Sequence, residues 1–166
     1  MNVISTILQD FTANFGRPHI QMVLVLFRCS QTARGSSFKL VRLLVGLPMS
    51  AVYRLVALCG FGIDIPTGTR IGSGFAIHHG MGLVVHDRTV IGSGVTLRHC
   101  TTLGSKGKDG APVIGNHVSI GPNSCVIGPI EVGAHSVVGA GSVVVANVPN
   151  EAVVAGNPAR VIRMAR

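Results

Sequence analysis

The sequence predicts an all-β solenoid, a chain wound into stacked triangular coils, preceded by a short helical segment. Three observations predict it. Apolar residues recur at six-residue intervals over most of residues 65–144. Small or β-branched residues stand at a fixed offset from them. The interior is also built almost without rings: aromatics make up 4% of the 166 residues, Trp is absent and Gly numbers 22. That composition suits many thin, similar layers better than one compact mixed core.

Each side of the coil can be read in order. Ile65, Ile71, Ile77 and Leu83 follow at steps of six. After two extra residues the beat resumes at Ile91, Leu97 and Leu103. A polar external loop, GSKGKDGAP (104–112), interrupts it, and Ile114, Ile120, Val126, Val132, Val138 and Val144 complete it. Four places after many of these come Thr69, Val95, Thr101, Val118, Ser124, Ser136 and Ser142. Six is neither a helical nor a simple strand period. It fits a short flat strand, a corner and a repeat, with the apolar residue inward and small residues easing the turn. Three sides, roughly eighteen residues, close one coil, and coils stack about 4.8 Å apart like neighbouring strands.

Residues 1–63 lack the beat. Segments 21–33 and 38–59 show helical apolar spacing, with Pro48 starting or kinking a helix and Gly60 and Gly62 ending it. These helices are expected to cap the first coil, whose strand edge would otherwise stay open. Residues 64–149 form the solenoid. After Val148-Pro149 the chain is expected to leave the coil, so residues 150–166 form a basic tail ending in ARVIRMAR. LLVGLPMSAVY, eleven residues between Arg42 and Arg54, is too short to span a bilayer but could lie along one.

Lys and Arg total 14 against 6 acids, a formal +8. That balance favours a phosphorylated ligand, anionic lipid or nucleic acid. Nucleic acid is set aside, because no lysine-rich run, aromatic-interleaved basic patch or zinc-knuckle spacing is present. Cys29, Cys59, Cys100 and Cys125 are far apart and form no CxxC pair. They read as buried, reduced thiols, and MNVISTILQDF lacks a secretory signal's features, so a cytoplasmic chain is expected.

From about residue 20 onward the chain resembles the hexapeptide-repeat acyltransferases, whose signature is a left-handed parallel β-helix. GIDIPTGTRIGSGFAIHHGMGLVV and TLGSKGKDG resemble the serine acetyltransferase group, and GAGSVVVANVPNEAVVAGNPARVI the terminal signature of the superfamily. The short N-terminus and the FAIHHG segment are most similar to the acetyltransferases of exopolysaccharide synthesis, of the colanic acid type.

An alcohol attacks a thioester poorly unless a base near neutral pH takes its proton, and histidine suits that task. A carboxylate on the other ring nitrogen would fix the tautomer. Asp64, fifteen residues before His79, lies on a neighbouring coil by spacing. The resemblance implies His79 as the base and Asp64 as its orienter. His78 stands where the serine enzymes carry an aspartate, and the arginine and histidine at the end of their external loop are missing. A saccharide hydroxyl is therefore the expected acceptor, with L-serine the alternative. His99, twenty residues beyond His79, is a candidate for the acceptor pocket together with His78. His86, His117 and His135 read as surface residues.

The resemblance also implies a homotrimer with acetyl-CoA in the groove between subunits. Matched positions are Gly104, Pro122 and Ala140 along the coil, and Arg160 and Arg163 toward the nucleotide phosphates. Guanidinium groups suit phosphate oxygens. Lys106 and Lys108 add charge in the loop, whereas Val145-Ala146 replaces a Thr-Lys pair of related enzymes. The acceptor could be a small molecule or a lipid-linked sugar, which would set the enzyme in the cytoplasm or against the inner membrane. A metal is not expected: a carbonic anhydrase on this coil needs two histidines five residues apart, and the seven here never show that separation. A purely structural solenoid would show regular Thr ladders and need no loop or paired histidines.

Overall fold

The computed structural model describes residues 2–107 and 110–164. Three helices come first: α1 (Val3–Leu8), α2 (Pro18–Arg34) and α3 (Lys39–Gly60). Strands then wind into three sheets, parallel throughout except where β15 meets β14. The first holds β1 (Ile63–Asp64), β4 (Leu83–Val85), β7 (Thr102–Gly104), β10 (Cys125–Ile127) and β13 (Val143–Val144). The second holds β2 (Arg70–Ile71), β5 (Val90–Ile91), β8 (Val113–Ile114) and β11 (Glu131–Val132). The third stacks β3 (Ala76–His78), β6 (Thr96–Arg98), β9 (Ser119–Ile120), β12 (Val137–Val138), β14 (Ala152–Gly156) and β15 (Ala159–Met164). From β1 to β13 successive strands take the sheets in rotation, which is the expected parallel solenoid.

The inward column is visible in the register, where Ile71, Ile91, Ile114 and Val132 align and are all buried. One part of the expected beat is displaced. Val85, not Leu83, aligns with Leu103, and Leu83 aligns with Ile63. The two extra residues therefore lie before Leu83, in the corner after β3, rather than after it. Buried Thr89 stands four places after Val85 just as buried Thr69 stands four after Ile65. Both Leu83 and Val85 point inward, so periodicity alone could not choose between them.

The helical segment closes the open end, as expected, through side chains that satisfy strand backbone. The Ile77 N–H donates to Asn14 Oδ1 at 3.0 Å, and Asn14 Nδ2 donates to the Phe75 carbonyl at 2.8 Å. Asp10 accepts from the Phe75 N–H at 2.9 Å and from Arg28 Nε at 2.8 Å. Arg28 also donates to the carbonyls of Ile71 and Gly72, and the Tyr53 hydroxyl donates to that of Ile65. Asp10, Asn14, Arg28 and Tyr53 are all buried.

Three expectations need correction. First, the apolar segment is longer than eleven residues: Pro48 does stand in the first turn of an α-helical stretch, Leu47–Arg54, but α3 runs on to either side of it through wide π turns at Arg42–Gly46 and Leu55–Gly60. The wide turn just before Pro48 accommodates its missing N–H. By length and composition α3 could cross a membrane, which the eleven-residue reading had excluded. Second, the chain does not leave the coil for good after Pro149. Val153 and Val154 return to the third sheet beside Val137 and Val138, and β15 folds back antiparallel on β14. Buried Ala152, Val153 and Val154 supply the apolar reason. Third, the four thiols are free but not buried: Cys59 and Cys100 are exposed and Cys29 and Cys125 half-buried.

Candidate active site

The corner between the third and first sheets carries a column of left-handed backbone: Gly62, Gly82, Cys100, Asn123 and Gly141, with φ of 62°, 72°, 54°, 58° and 67°. Hydrogen bonds stitch the coils here. The Gly82 N–H donates to Gly62 O at 2.9 Å, Cys100 to Met81 at 2.8 Å, Asn123 to His99 at 3.1 Å and Gly141 to Pro122 at 2.9 Å. Met81, His99, Pro122 and Ala140 each immediately precede one of these residues, so they form the adjacent column.

On the His99 coil one residue separates β6 from the left-handed position; on the His79 coil three do. The surplus carries the histidine. His79 (φ 69°) and Gly80 (φ 56°) both take left-handed backbone. A Cβ on Gly80 would lie 2.6 Å from Ile63 Cδ1, so only glycine lets the bulge sit down on β1. For histidine such a φ is uncommon and costs on the order of 1 kcal/mol. The neighbouring structure over-determines it.

His79 is exposed, and its ring meets that of half-buried His99 edge to face, centroids 5.9 Å apart. With Met81 and Cys100 they line an open hollow of about 520 Å³. Among the described residues, buried His99 Nδ1 has no hydrogen-bond partner. His78 lies in register with Arg98 on β6, whose guanidinium donates to Ser119 Oγ at 3.1 Å. Burial, then the charges of Arg17 and Arg98 and the His79 ring, hold the His78 imidazole below its usual pKa. It stays neutral near pH 7.

Asp64 ends β1, in register with Val84, one coil from the bulge. Among the described residues its carboxylate makes no ion pair, and no hydrogen bond joins it to His79. It bears instead on the buried Tyr53 hydroxyl, whose pKa is raised first by burial and then by this carboxylate.

On the donor side, Pro122 and Ala140 continue the His99 column, half-buried and exposed. Gly104 ends β7 at the next corner, where its carbonyl accepts from the Gly128 N–H at 3.0 Å. Lys106 lies nearby, in a hollow with Gly128, Pro129 and Val145; Lys108 and Asp109 fall outside the described residues. Arg160 and Arg163 are exposed on β15, their guanidinium groups donating to the carbonyls of Ala159 and Met164. The third sheet thus separates His78 from the arginines by five strand spacings, roughly 24 Å. The solenoid brings His79, His78 and His99 together and leaves Gly104 and the arginines at a distance. His117 and His135 stack at another corner, centroids 4.9 Å apart.

Four groups that line the hollow or bear on His78 were not read from the sequence. Arg98 is legible by the same twenty-residue step that links His79 to His99. Arg17 reaches the site from the helical segment, which has no repeat to reveal it. Met81 and Cys100 follow only once the bulge is correctly placed.

The bacterial transferase hexapeptide model, six repeats, matches residues 111–146. Serine acetyltransferase 2 of Arabidopsis thaliana is 46% identical over 107 residues, 63% of this chain and 33% of its own length. This chain thus spans about a third of that relative. The acetyltransferase WcaB of Escherichia coli K12, named for colanic acid biosynthesis, is 42% identical over 116 residues, 69% of this chain and 72% of its own. Among solved structures, soybean serine acetyltransferase apoenzyme superposes with a TM-score of 0.80 at 32% identity, covering 96% of this chain and 69% of that one. Serine acetyltransferase from Vibrio cholerae O1 gives 0.81 at 26% identity, covering 99% and 67%. On that identity to WcaB over most of its length, and on a fold superposing with serine acetyltransferases over nearly the whole of this chain, the chain belongs to the hexapeptide-repeat transferase family of the serine acetyltransferases and WcaB.

Proposed function

We propose that the protein is an acetyl-CoA-dependent O-acetyltransferase that acetylates a saccharide hydroxyl in exopolysaccharide or capsule assembly. The observation that carries it is the bulged corner, where a strained backbone holds His79 in an open hollow beside His99. The exposed imidazole takes the hydroxyl proton as the oxygen attacks the thioester carbonyl. The carbon–sulfur bond then breaks, and the same proton passes to the leaving thiolate. Asp64 is assigned to steady the other ring nitrogen in the loaded enzyme, since catalytic hydrogen bonds are often long or unmade without substrate.

The donor would run along the third sheet with its phosphates on Arg160 and Arg163 and its pantetheine arm past Pro122, Ala140 and Gly104. The reading includes a homotrimer, a second subunit closing the groove, and a cytoplasmic site where acetyl-CoA is available.

The comparisons back L-serine, the second acceptor, better than a saccharide, because the matching solved structures named above are serine acetyltransferases. The residues at the corner favour the saccharide. His78 replaces a carboxylate, with Arg98 in register and Arg17 bearing on it, so the wall is poorly suited to an ammonium group. Thiol release from acetyl-CoA with serine, simple sugars and nucleotide sugars decides between them. Release with serine alone overturns the saccharide; no release with any acceptor overturns the enzyme.

A further inference from the structure

We infer that α3 docks along the surface of a bilayer containing anionic lipid. Its inward stripe is narrow, with Gly46, Ser50, Tyr53 and Ala57 buried at steps of four, three and four. Most other positions are apolar and uncovered: Leu40, Leu44 and Leu55 are 67%, 63% and 65% exposed, and Leu47, Val52 and Leu58 are exposed as well. Contiguous large aliphatics of this kind mark an interaction surface rather than ordinary solvent-facing helix.

Charge selects the occupant. No Asp or Glu occurs between Asp10 and Asp64, while Arg17, Arg28, Arg34, Lys39, Arg42 and Arg54 do. Arg28 is neutralised by Asp10 at 2.8 Å. Arg34, Lys39 and Arg42 converge with Leu43 and Leu47 on an open hollow of about 320 Å³ beside the apolar face. Cations around an aliphatic floor match a lipid phosphate and its acyl chains. A second copy laid on the same face would bring the same cations into the contact without acids to meet them.

The helix lies along the membrane and does not cross it. One side is occupied by protein, through buried Tyr53 and its hydrogen bond to Ile65, and Arg54 would enter the hydrocarbon on insertion. Docking also orients chemistry. Gly62, two residues past the end of α3, accepts from Gly82 at the foot of the His79 bulge. The active corner therefore sits at the bilayer end of the solenoid, within reach of an acceptor carried on a lipid. The inference stands whether the acceptor is a sugar or serine.

The test is co-sedimentation of the full chain with phosphatidylcholine vesicles, with and without phosphatidylglycerol. Binding is expected only with phosphatidylglycerol, and it should fall as salt rises. Leu44→Glu with Leu55→Glu should weaken binding roughly tenfold or more, and Lys39→Glu with Arg42→Glu should abolish the anionic preference. Thermal melts and sedimentation velocity of each variant check that fold and oligomer persist. No association with either vesicle overturns the inference, as does undiminished binding by folded variants. It is equally overturned if the leucine variants dissociate an oligomer while the parent ignores lipid, because a second copy then covers the face.

Discussion

The rings of His79 and His99 stand edge to face on successive coils, centroids 5.9 Å apart, with the first held on left-handed backbone and the second half-buried behind it. That pairing divides the labour. In the proposed reaction the exposed ring would move a proton between two substrates, and the ring behind it would set where an acceptor rests.

His79→Gly separates chemistry from strain. Turnover should fall roughly 10²–10⁴-fold, while stability holds or rises by up to about 1 kcal/mol as the left-handed penalty disappears. Paired kinetics and urea unfolding test this; a variant that is both active and less stable would refute both halves.

Asp64→Asn should lower kcat on the order of 10²-fold if the carboxylate steadies the working tautomer. It should also displace the acidic limb of the pH–rate profile, a change that a packing defect would not produce. Unaltered kinetics would remove Asp64 from the mechanism.

Arg160→Ala with Arg163→Ala should raise KM for acetyl-CoA about tenfold or more, since on the proposed placement each would remove a charge-assisted hydrogen bond to phosphate. KM for the acceptor should not move. An effect confined to the acceptor would place the phosphates elsewhere.

His78 contributes a pH dependence of known sign. Its folded pKa lies below the ordinary 6.5, so between the two values the unfolded chain binds more protons. The stability His78 supplies is present above pH 6.5 and is lost as pH falls through the folded value. Tm measured from about pH 8 to 5 should drop more for the parent than for His78→Gln; parallel curves would contradict it.

Asn14→Ala leaves the Ile77 N–H and the Phe75 carbonyl without partners at the end of the third sheet. Destabilisation of about 1–3 kcal/mol is expected in urea unfolding. An unchanged midpoint would show that water satisfies this edge.

Much of this molecule is determined by the sequence alone. Each side of the coil must return an aliphatic residue inward and a small one to the turn, so the solenoid is written locally and repeatedly from Ile65 to Val144. The same arithmetic brings His79 within one coil of His99. The tertiary structure decided what has no period. Leu83 and Val85 are both apolar and inward, and only pairing with Ile63 and Leu103 put the surplus residues under His79. Arg17 and Asn14 reach strands some sixty residues away through single hydrogen bonds or charges, which leave no repeating trace in the chain. The tail rejoined the third sheet because an exposed ladder edge and three buried aliphatics favour pairing, whatever the break in rhythm suggests.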